Sequence, residues 1–169
     1  TGKDISCLDP HVNGDMPQAS LAANYLDSLV SQDSGGAIHP WLATDWSVSD
    51  DGLAYTFTMR DDVWFTDGTK LTAEAVKANL DHMVDPDTQS GTAGGYLKPY
   101  VGTEIRDERT AVVTLNRPYA AFLEVLAQPF LGIESPDALT RPQAENCNAP
   151  VGTGPYKIVD YVPQSKVSL

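Results

Sequence analysis

Two short runs of alternating apolar and polar residues, joined by a tight turn, constrain the fold of this chain more than any other feature. In residues 45–49 and again in residues 54–60, bulky apolar side chains occupy every second position. A period of two is typical of a β-strand with one buried face. The turn between the runs contains Asp51-Gly52, a dipeptide that favours tight hairpin turns. The sequence therefore predicts a β-hairpin and, with it, an antiparallel sheet.

Further extended segments follow the same pattern. Residues 101–106 and 110–115 predict a second hairpin that turns at residues 107–109, and residues 63–65 predict a short strand that ends at Asp67-Gly68. Additional strands are predicted at residues 4–8, 156–159 and 166–169.

Apolar residues at helical spacing predict three helices between the strands. Residues 16–30 form an amphipathic pattern after Asp15, which is a favourable N-cap residue. A second helix is predicted from Ala73, following Thr72 as N-cap, and Pro86 prevents its extension. Pro118 opens the third, which runs to Leu126. The predicted fold class is α/β, with a mobile loop at 87–95 and irregular structure at 128–150.

The charge balance excludes some partners. The 169 residues include 11 Lys and Arg against 23 Asp and Glu, which gives a net charge of −12. Such a chain repels the phosphates of nucleic acids and anionic membrane surfaces, so no nucleic-acid partner is expected. The acidity suits a cationic or zwitterionic ligand, and it equally serves solubility. No apolar stretch approaches the ~20 residues that a membrane-spanning helix needs.

Motifs that carry catalysis or hold a cofactor are not found in the sequence. The chain contains no Gly-x-Ser-x-Gly, and Gly152-Thr153-Gly154 lacks the Lys of a phosphate-binding loop. His11, His39 and His82 do not show the close spacing of a metal-binding motif. We therefore expect no enzymatic activity, no cofactor and no metal site.

Cys7 and Cys147, near opposite ends of the chain, are its two cysteines. They lack the Cys-x-x-Cys spacing of zinc or thioredoxin-type sites. In an exported protein the pair is expected to form a disulfide. The alternative is two unrelated buried thiols.

Five motifs that occur in order along the chain identify a family. They are Leu8-Asp9-Pro10-His11, the segment 40–46 that ends in Trp46, the turn and strand at 49–60, the segment 63–76, and Pro150-Val151-Gly152-Thr153-Gly154-Pro155-Tyr156. Glycine in the last motif permits close passage of another backbone segment. Together the motifs resemble the family 5 extracellular solute-binding proteins, a group that includes oligopeptide-, dipeptide- and nickel-binding receptors.

The resemblance implies the architecture and the function. The fold would be a periplasmic-binding-protein type II-like first lobe, present in part, with a mixed sheet and an inserted α+β subdomain. Residues 1–39 and 149–169 would form the main part of that lobe, residues 40–148 the subdomain, and the second lobe would be absent. The protein would be a monomeric, extracytoplasmic, lipid-anchored component of an ABC importer. It would capture a small solute, expected to be a peptide, by two-lobe closure and deliver it to a membrane permease.

The resemblance also suggests which residues line the ligand site. The candidates come from the loop after the first strand, from the glycine-rich loop and from the segment after the third helix: His11, Asn13, Met16, Gln18, Tyr96 and Phe130. Helix capping and ordinary packing are the alternative roles for these residues. Nickel-type relatives carry an arginine near residues 131–133, which here are Leu-Gly-Ile, so a chelated-nickel ligand is disfavoured. A ligand-sensing domain of a regulator is the alternative function for this fold.

Overall fold

The computed structural model describes residues 5–12, 14–163 and 165–169. The helices are α1 (Met16–Ala22), α2 (Ala73–Val84), α3 (Ala93–Tyr96), α4 (Phe122–Leu126), α5 (Pro136–Leu139) and α6 (Gln143–Asn146). The strands are β1 (Val30–Gln32), β2 (Ile38–Pro40), β3 (Ala43–Val48), β4 (Ala54–Met59), β5 (Tyr100–Ile105), β6 (Thr110–Leu115), β7 (Asp160–Val162) and β8 (Lys166–Ser168). Two 3-10 turns span Pro86–Thr88 and Pro129–Leu131.

A four-stranded antiparallel sheet in the order β3-β4-β6-β5 contains both predicted hairpins. Trp46 in β3 lies opposite Phe57 in β4, as the alternating pattern predicts. Gly52 in the connecting turn has φ of +69°, a left-handed conformation that favours glycine. Phe57 and Met59 are fully buried, and the intervening Thr58 is half-buried. Both hairpin predictions are confirmed.

The central helix α2 covers one face of this sheet. It begins after Thr72 and ends before Pro86, as predicted, and it packs against β5 and β6. Val76, Leu80 and Met83 on its inner face are buried in the same core as the sheet residues. No helix among the described residues has the length and hydrophobicity that crossing a bilayer requires.

The prediction of one helix over residues 16–30 is wrong, because α1 ends at Ala22. The side-chain amide of Asn24 donates to the carbonyls of Ser20 and Leu21, which satisfies backbone acceptors at the helix end. The chain then turns at residues 23–25 and reaches β1 through an isolated β-bridge at Asp27. Leu29 is buried beside the sheet, so its apolar spacing reflects the packing of a non-helical segment.

Other predictions need smaller corrections. The segment 87–95 is partly helical, since it contains the end of the 3-10 turn Pro86–Thr88 and the start of α3. Residues 128–150 contain three short helical segments. The third helix begins at Phe122, several residues after Pro118. Residues 156–159 are not a strand, and β7 begins just after them. All pairings between the described strands are antiparallel, so the mixed sheet is not seen there.

The predicted strand at residues 4–8 is likewise absent from the described residues 5–8. The amide of Leu8 donates to the carbonyl of Cys147 at 2.7 Å. The hydroxyl of Tyr161 donates to the carbonyl of Ile5. These single bonds hold the segment in place without forming a ladder.

The backbone at residues 152–154 passes directly against the turn that follows α1. The amide of Gly154 donates to the carbonyl of Tyr25 at 3.1 Å. A Cβ atom on Gly152 would lie 2.0 Å from that carbonyl oxygen and 2.5 Å from a methyl of Leu26. The glycines of this motif are therefore required by a close backbone approach, as the sequence analysis predicts.

Replacing Gly152 by alanine should destabilise the protein by at least about 2–3 kcal/mol, because the added methyl overlaps backbone atoms that cannot rotate away. Urea unfolding followed by circular dichroism measures this change. Gly91→Ala is the matched control, since a Cβ there meets no atom within 4 Å, and it should change stability by less than about 0.5 kcal/mol. Equal midpoints for the two variants would contradict the structure.

Cys7 and Cys147 form a disulfide, with 2.00 Å between the sulfur atoms and 4.5 Å between the Cα atoms. The prediction of a disulfide is confirmed. The bond joins residues 140 positions apart and lies beside the Leu8–Cys147 backbone hydrogen bond. It therefore ties the segment before α1 to the end of α6.

The double variant Cys7→Ala/Cys147→Ala should lose roughly 2–5 kcal/mol of unfolding free energy, because a long loop is no longer closed in the unfolded chain. Denaturant unfolding with and without a reductant tests this. Reductant should lower the midpoint of the wild-type protein and leave that of the variant unchanged. A wild-type midpoint that is insensitive to complete reduction would refute the expectation.

Candidate ligand-binding wall

Three segments that are distant in sequence meet on one side of the molecule. They are the loop before α1, the region of α3, and the 3-10 turn Pro129–Leu131. A Cβ on Gly14 would lie 2.9 Å from the Cβ of Thr92, so the loop and the start of α3 are in contact. Helix α1 packs on the 3-10 turn. The structure thus brings together the three segments from which the sequence analysis draws its ligand-site candidates.

An aromatic pair connects two of these segments. The rings of Tyr96 and Phe130 stack with 5.4 Å between their centroids and 27° between their planes. Tyr96 is 47% exposed, whereas Phe130 is 9% exposed. The ring of Tyr96 is therefore supported by the buried ring of Phe130 and offers a face or edge to a bound molecule. We call Tyr96 and Phe130 the aromatic shelf.

Met16 lies at the first position of α1 and is 74% exposed. The N-cap Asp15 accepts a hydrogen bond from the amide of Gln18, and Pro17 occupies the first turn, so the start of this helix is well defined. A flexible thioether side chain at an ordered helix start can adapt to ligands of different shape.

His11 and Gln18 lie inside the protein and are fully buried. The side-chain amide of Gln18 donates to the backbone carbonyls of Cys7 and Asp9, both at 2.6 Å. His11 Nε2 lies 2.8 Å from the carbonyl oxygen of Gly132 and donates to it. Both side chains shape the loop from within, and their contact with ligand stays a prediction. Asn13 falls outside the described residues.

A group of buried polar side chains lies beneath this loop. The amide of Asn146 donates to Asp9 Oδ2 at 3.1 Å and to Glu134 Oε2 at 2.7 Å. Asp9 and Glu134 are both fully buried. Burial, followed by the nearby charge of Asp9, raises the pKa of the Glu134 carboxyl well above its usual range. A protonated Glu134 avoids two adjacent carboxylate charges in the interior.

Asn79 of α2 holds the segment that leads away from the aromatic shelf. Its Oδ1 accepts from the amide of Glu134, and its Nδ2 donates to the carbonyls of Glu134 and Ala75, each at 2.8 Å. Asn79 is fully buried. This amide therefore fixes the chain only four residues after Phe130.

Asn79→Ala should lower the unfolding free energy by about 2–4 kcal/mol, because it leaves the buried backbone amide and carbonyl of Glu134 without these partners. Thermal or urea unfolding measures the loss. The exposed Asn148, whose amide donates to the carbonyl of Ala144, provides a control, and Asn148→Ala should cost less than about 0.5 kcal/mol. A similar small effect of both variants would contradict the stabilising role of the hydrogen bonds between Asn79 and Glu134.

Two histidines lie close together although nothing in the sequence indicates it. His11 Nδ1 and His82 Nδ1 lie 3.2 Å apart although 71 residues separate them in sequence. Burial, followed by the neighbouring His11, lowers the pKa of the His82 imidazole. No local spacing pattern could reveal the pair, because α2 and the loop before α1 meet only through tertiary packing.

Comparison with known structures defines the class of protein. The chain resembles AgaA from A. tumefaciens R10, solved in complex with agropinic acid, with a TM-score of 0.86 and 32% identity, over 98% of this chain and 33% of that one. It also resembles the periplasmic binding protein DppA from Helicobacter pylori, solved with the peptide STSA, with a TM-score of 0.82 and 30% identity, over 98% of this chain and 37% of that one. The α/β fold is that of part of a periplasmic binding protein, as predicted.

Sequence comparison narrows the class to a family. Residues 37–169 match the family described as "Bacterial extracellular solute-binding proteins, family 5 Middle". The glutathione-binding protein GsiB of Salmonella typhi is 38% identical over 157 residues, which cover 93% of this chain and 30% of that protein. This chain belongs to the family 5 solute-binding proteins, and it spans about a third of the length of the relatives that it matches.

Proposed function

We propose that this chain forms the ligand-facing part of the first lobe of a substrate-binding component of an ABC importer. In this role it captures a small solute for a membrane permease and catalyses no reaction. The observation that carries the proposal is the aromatic shelf, which lies where the loop before α1, α3 and the 3-10 turn meet. Exposed Met16 belongs to α1, which packs on the 3-10 turn, and we assign it to the same wall.

The shelf supports binding because one of its rings is both accessible and fixed in orientation. Tyr96 cannot collapse onto the surface without losing its stack on Phe130. The backbone that follows Phe130 is fixed in turn by the hydrogen bond from His11 to Gly132 and by the hydrogen bonds between Asn79 and Glu134. A preorganised aromatic surface loses little conformational entropy when a ligand packs on it.

A short peptide is the proposed ligand class. One relative is named for glutathione binding, and another was solved with the peptide STSA. The net charge of −12 favours solutes that carry an amino group. The absence of arginine at residues 131–133 supports a peptide over a nickel chelate.

We propose that closure against a second lobe completes the site, since the relatives are about three times as long as this chain. Residues 1–39 and 149–169 would belong to the main part of the first lobe, and residues 40–148 to an inserted subdomain. Leu29 and Val30 share one core with the sheet, so the two parts would move together as a rigid wall. Ligand contacts with both lobes would then stabilise the closed state.

The Cys7–Cys147 disulfide supports an extracytoplasmic location, because such bonds persist in oxidising compartments. It also disfavours a cytosolic regulator with the same fold. Lipid attachment, a monomeric state and docking to a permease are parts of the same proposal.

Tyr96→Ala and Phe130→Ala should each weaken peptide binding at least tenfold, because truncation removes a rigid aromatic contact or its support. The measurement is isothermal titration calorimetry of the full-length protein with glutathione and with di- to pentapeptides. Trp64→Ala is the control, since Trp64 is an exposed aromatic, 58% accessible, in the separate hairpin that pairs it with Lys70. It should leave the affinity unchanged.

Two results would contradict the proposal. The first is wild-type affinity in both shelf variants, which would move the ligand away from this wall. The second is the lack of measurable binding of every peptide by the full-length wild-type protein. Circular dichroism of each variant confirms that altered affinity is not caused by unfolding.

A further inference from the structure

We infer that Asp9, His11 and His82 form a binding site for one divalent transition-metal ion, separate from the solute-binding wall. One ligand atom from each of the three side chains lies within 4.8 Å of the other two. The set of two imidazoles and one carboxylate is the donor set that Zn²⁺ and similar ions prefer when a further position is left for water. This inference does not depend on the proposed transport function.

The tautomer of His11 is already that of a metal ligand. Its Nε2 is 2.8 Å from the carbonyl oxygen of Gly132, which can only accept, so Nε2 carries the proton. The lone pair is then on Nδ1, which points towards His82 Nδ1 at 3.2 Å. Metal-bound histidines commonly donate their second nitrogen to a backbone carbonyl, which fixes the ring in this way.

The separation of the two imidazole Nδ1 atoms fits a single ion. Two ligands at about 2.0–2.1 Å from a tetrahedral zinc are about 3.3 Å apart, close to the separation of the two Nδ1 atoms. Asp9 Oδ1 lies 3.8 Å from His11 Nδ1. An ion between the imidazoles would replace the hydrogen bond from His82 Nδ1, and the His82 proton would move to Nε2, so no net proton is released.

The surroundings provide support and access. Asp9 is oriented by two donors, the backbone amide of His11 at 2.8 Å and the side chain of Asn146 at 3.1 Å. Asp9 and His82 also line a cavity of about 200 Å³, which gives an ion an entry path and room for water ligands. Asp85 and Asp87 on its wall attract cations, and their charge outweighs that of Arg141 on the same wall.

The site is distinct from the aromatic shelf because Asp9 and His11 are fully buried. An ion held there would join the loop before α1 to α2, because His11 and His82 are 71 residues apart in sequence. Its expected role is to stabilise the lobe and not to be transported.

Chelator-treated full-length protein should bind one equivalent of Zn²⁺ by isothermal titration calorimetry, and its Tm should rise with Zn²⁺ and fall again with EDTA. His82→Ala should weaken binding at least tenfold and abolish the Tm response. The control is His39→Ala, which removes an exposed histidine paired with Asp33 and should behave as wild type. Tyr96→Ala should likewise retain Zn²⁺ binding, since it alters only the shelf.

Unchanged Zn²⁺ affinity in His82→Ala, or an equal loss in His39→Ala, would overturn the inference. A measurement on the wild-type protein guards against a variant that fails to fold. The electron paramagnetic resonance spectrum with one equivalent of Cu²⁺ should show coupling to nitrogens of two imidazoles. A spectrum without imidazole nitrogen coupling would also overturn it.

Discussion

The close approach of residues 152–154 to the turn after α1 holds the rest of the structure in place. The amides of Gly154 and Tyr156 donate to the carbonyls of Tyr25 and Asn24, each at 3.1 Å. These bonds form only because Gly152 and Gly154 lack side chains, since a Cβ on either would overlap the backbone of residues 24–25. The sheet, α2 and the shelf all lie in the chain between these two segments. Their positions relative to the loop before α1 therefore depend on this contact, and the disulfide adds a covalent link from Cys7 to Cys147.

Elements whose pattern is local could be predicted from the sequence. The two hairpins and α2 are encoded by alternation, by turn residues such as Gly52 and by stop residues such as Pro86. The pattern over residues 16–30 predicts too long a helix, because buried residues of a non-helical segment can show the same apolar spacing as a helix. Leu29 demonstrates this, as it is buried in the core just before β1. The short helices between residues 128 and 150 are shaped by packing and by prolines, and periodicity cannot describe segments of four residues.

The candidate site was predictable only in part. The family resemblance suggests the three segments that meet at the wall and names both residues of the shelf, whose contact with ligand stays a prediction. It could not separate exposed from buried members of those segments, because burial of Gln18 depends on the carbonyls of Cys7 and Asp9 that its amide reaches. The pairing of His11 with His82 was invisible for a related reason. The spacing of residues along the chain does not indicate a contact between a loop and a distant helix. Only tertiary packing brings the Nδ1 atoms of His11 and His82 together.

The shelf and the histidine pair are linked through two residues of backbone. His11 donates to the carbonyl of Gly132, and Gly132 follows Phe130 by two positions, so the orientation of the imidazole and that of the shelf share one constraint. Leu26 packs so closely on Gly132 that a Cβ there would lie 2.7 Å from the Leu26 side chain, so this position of the segment requires glycine. An ion on His11 Nδ1 would leave the Nε2 bond intact and hold the ring more firmly. An ion bound by Asp9, His11 and His82 would therefore make the backbone beneath the shelf more rigid, while the exposed face of Tyr96 stays available to a solute.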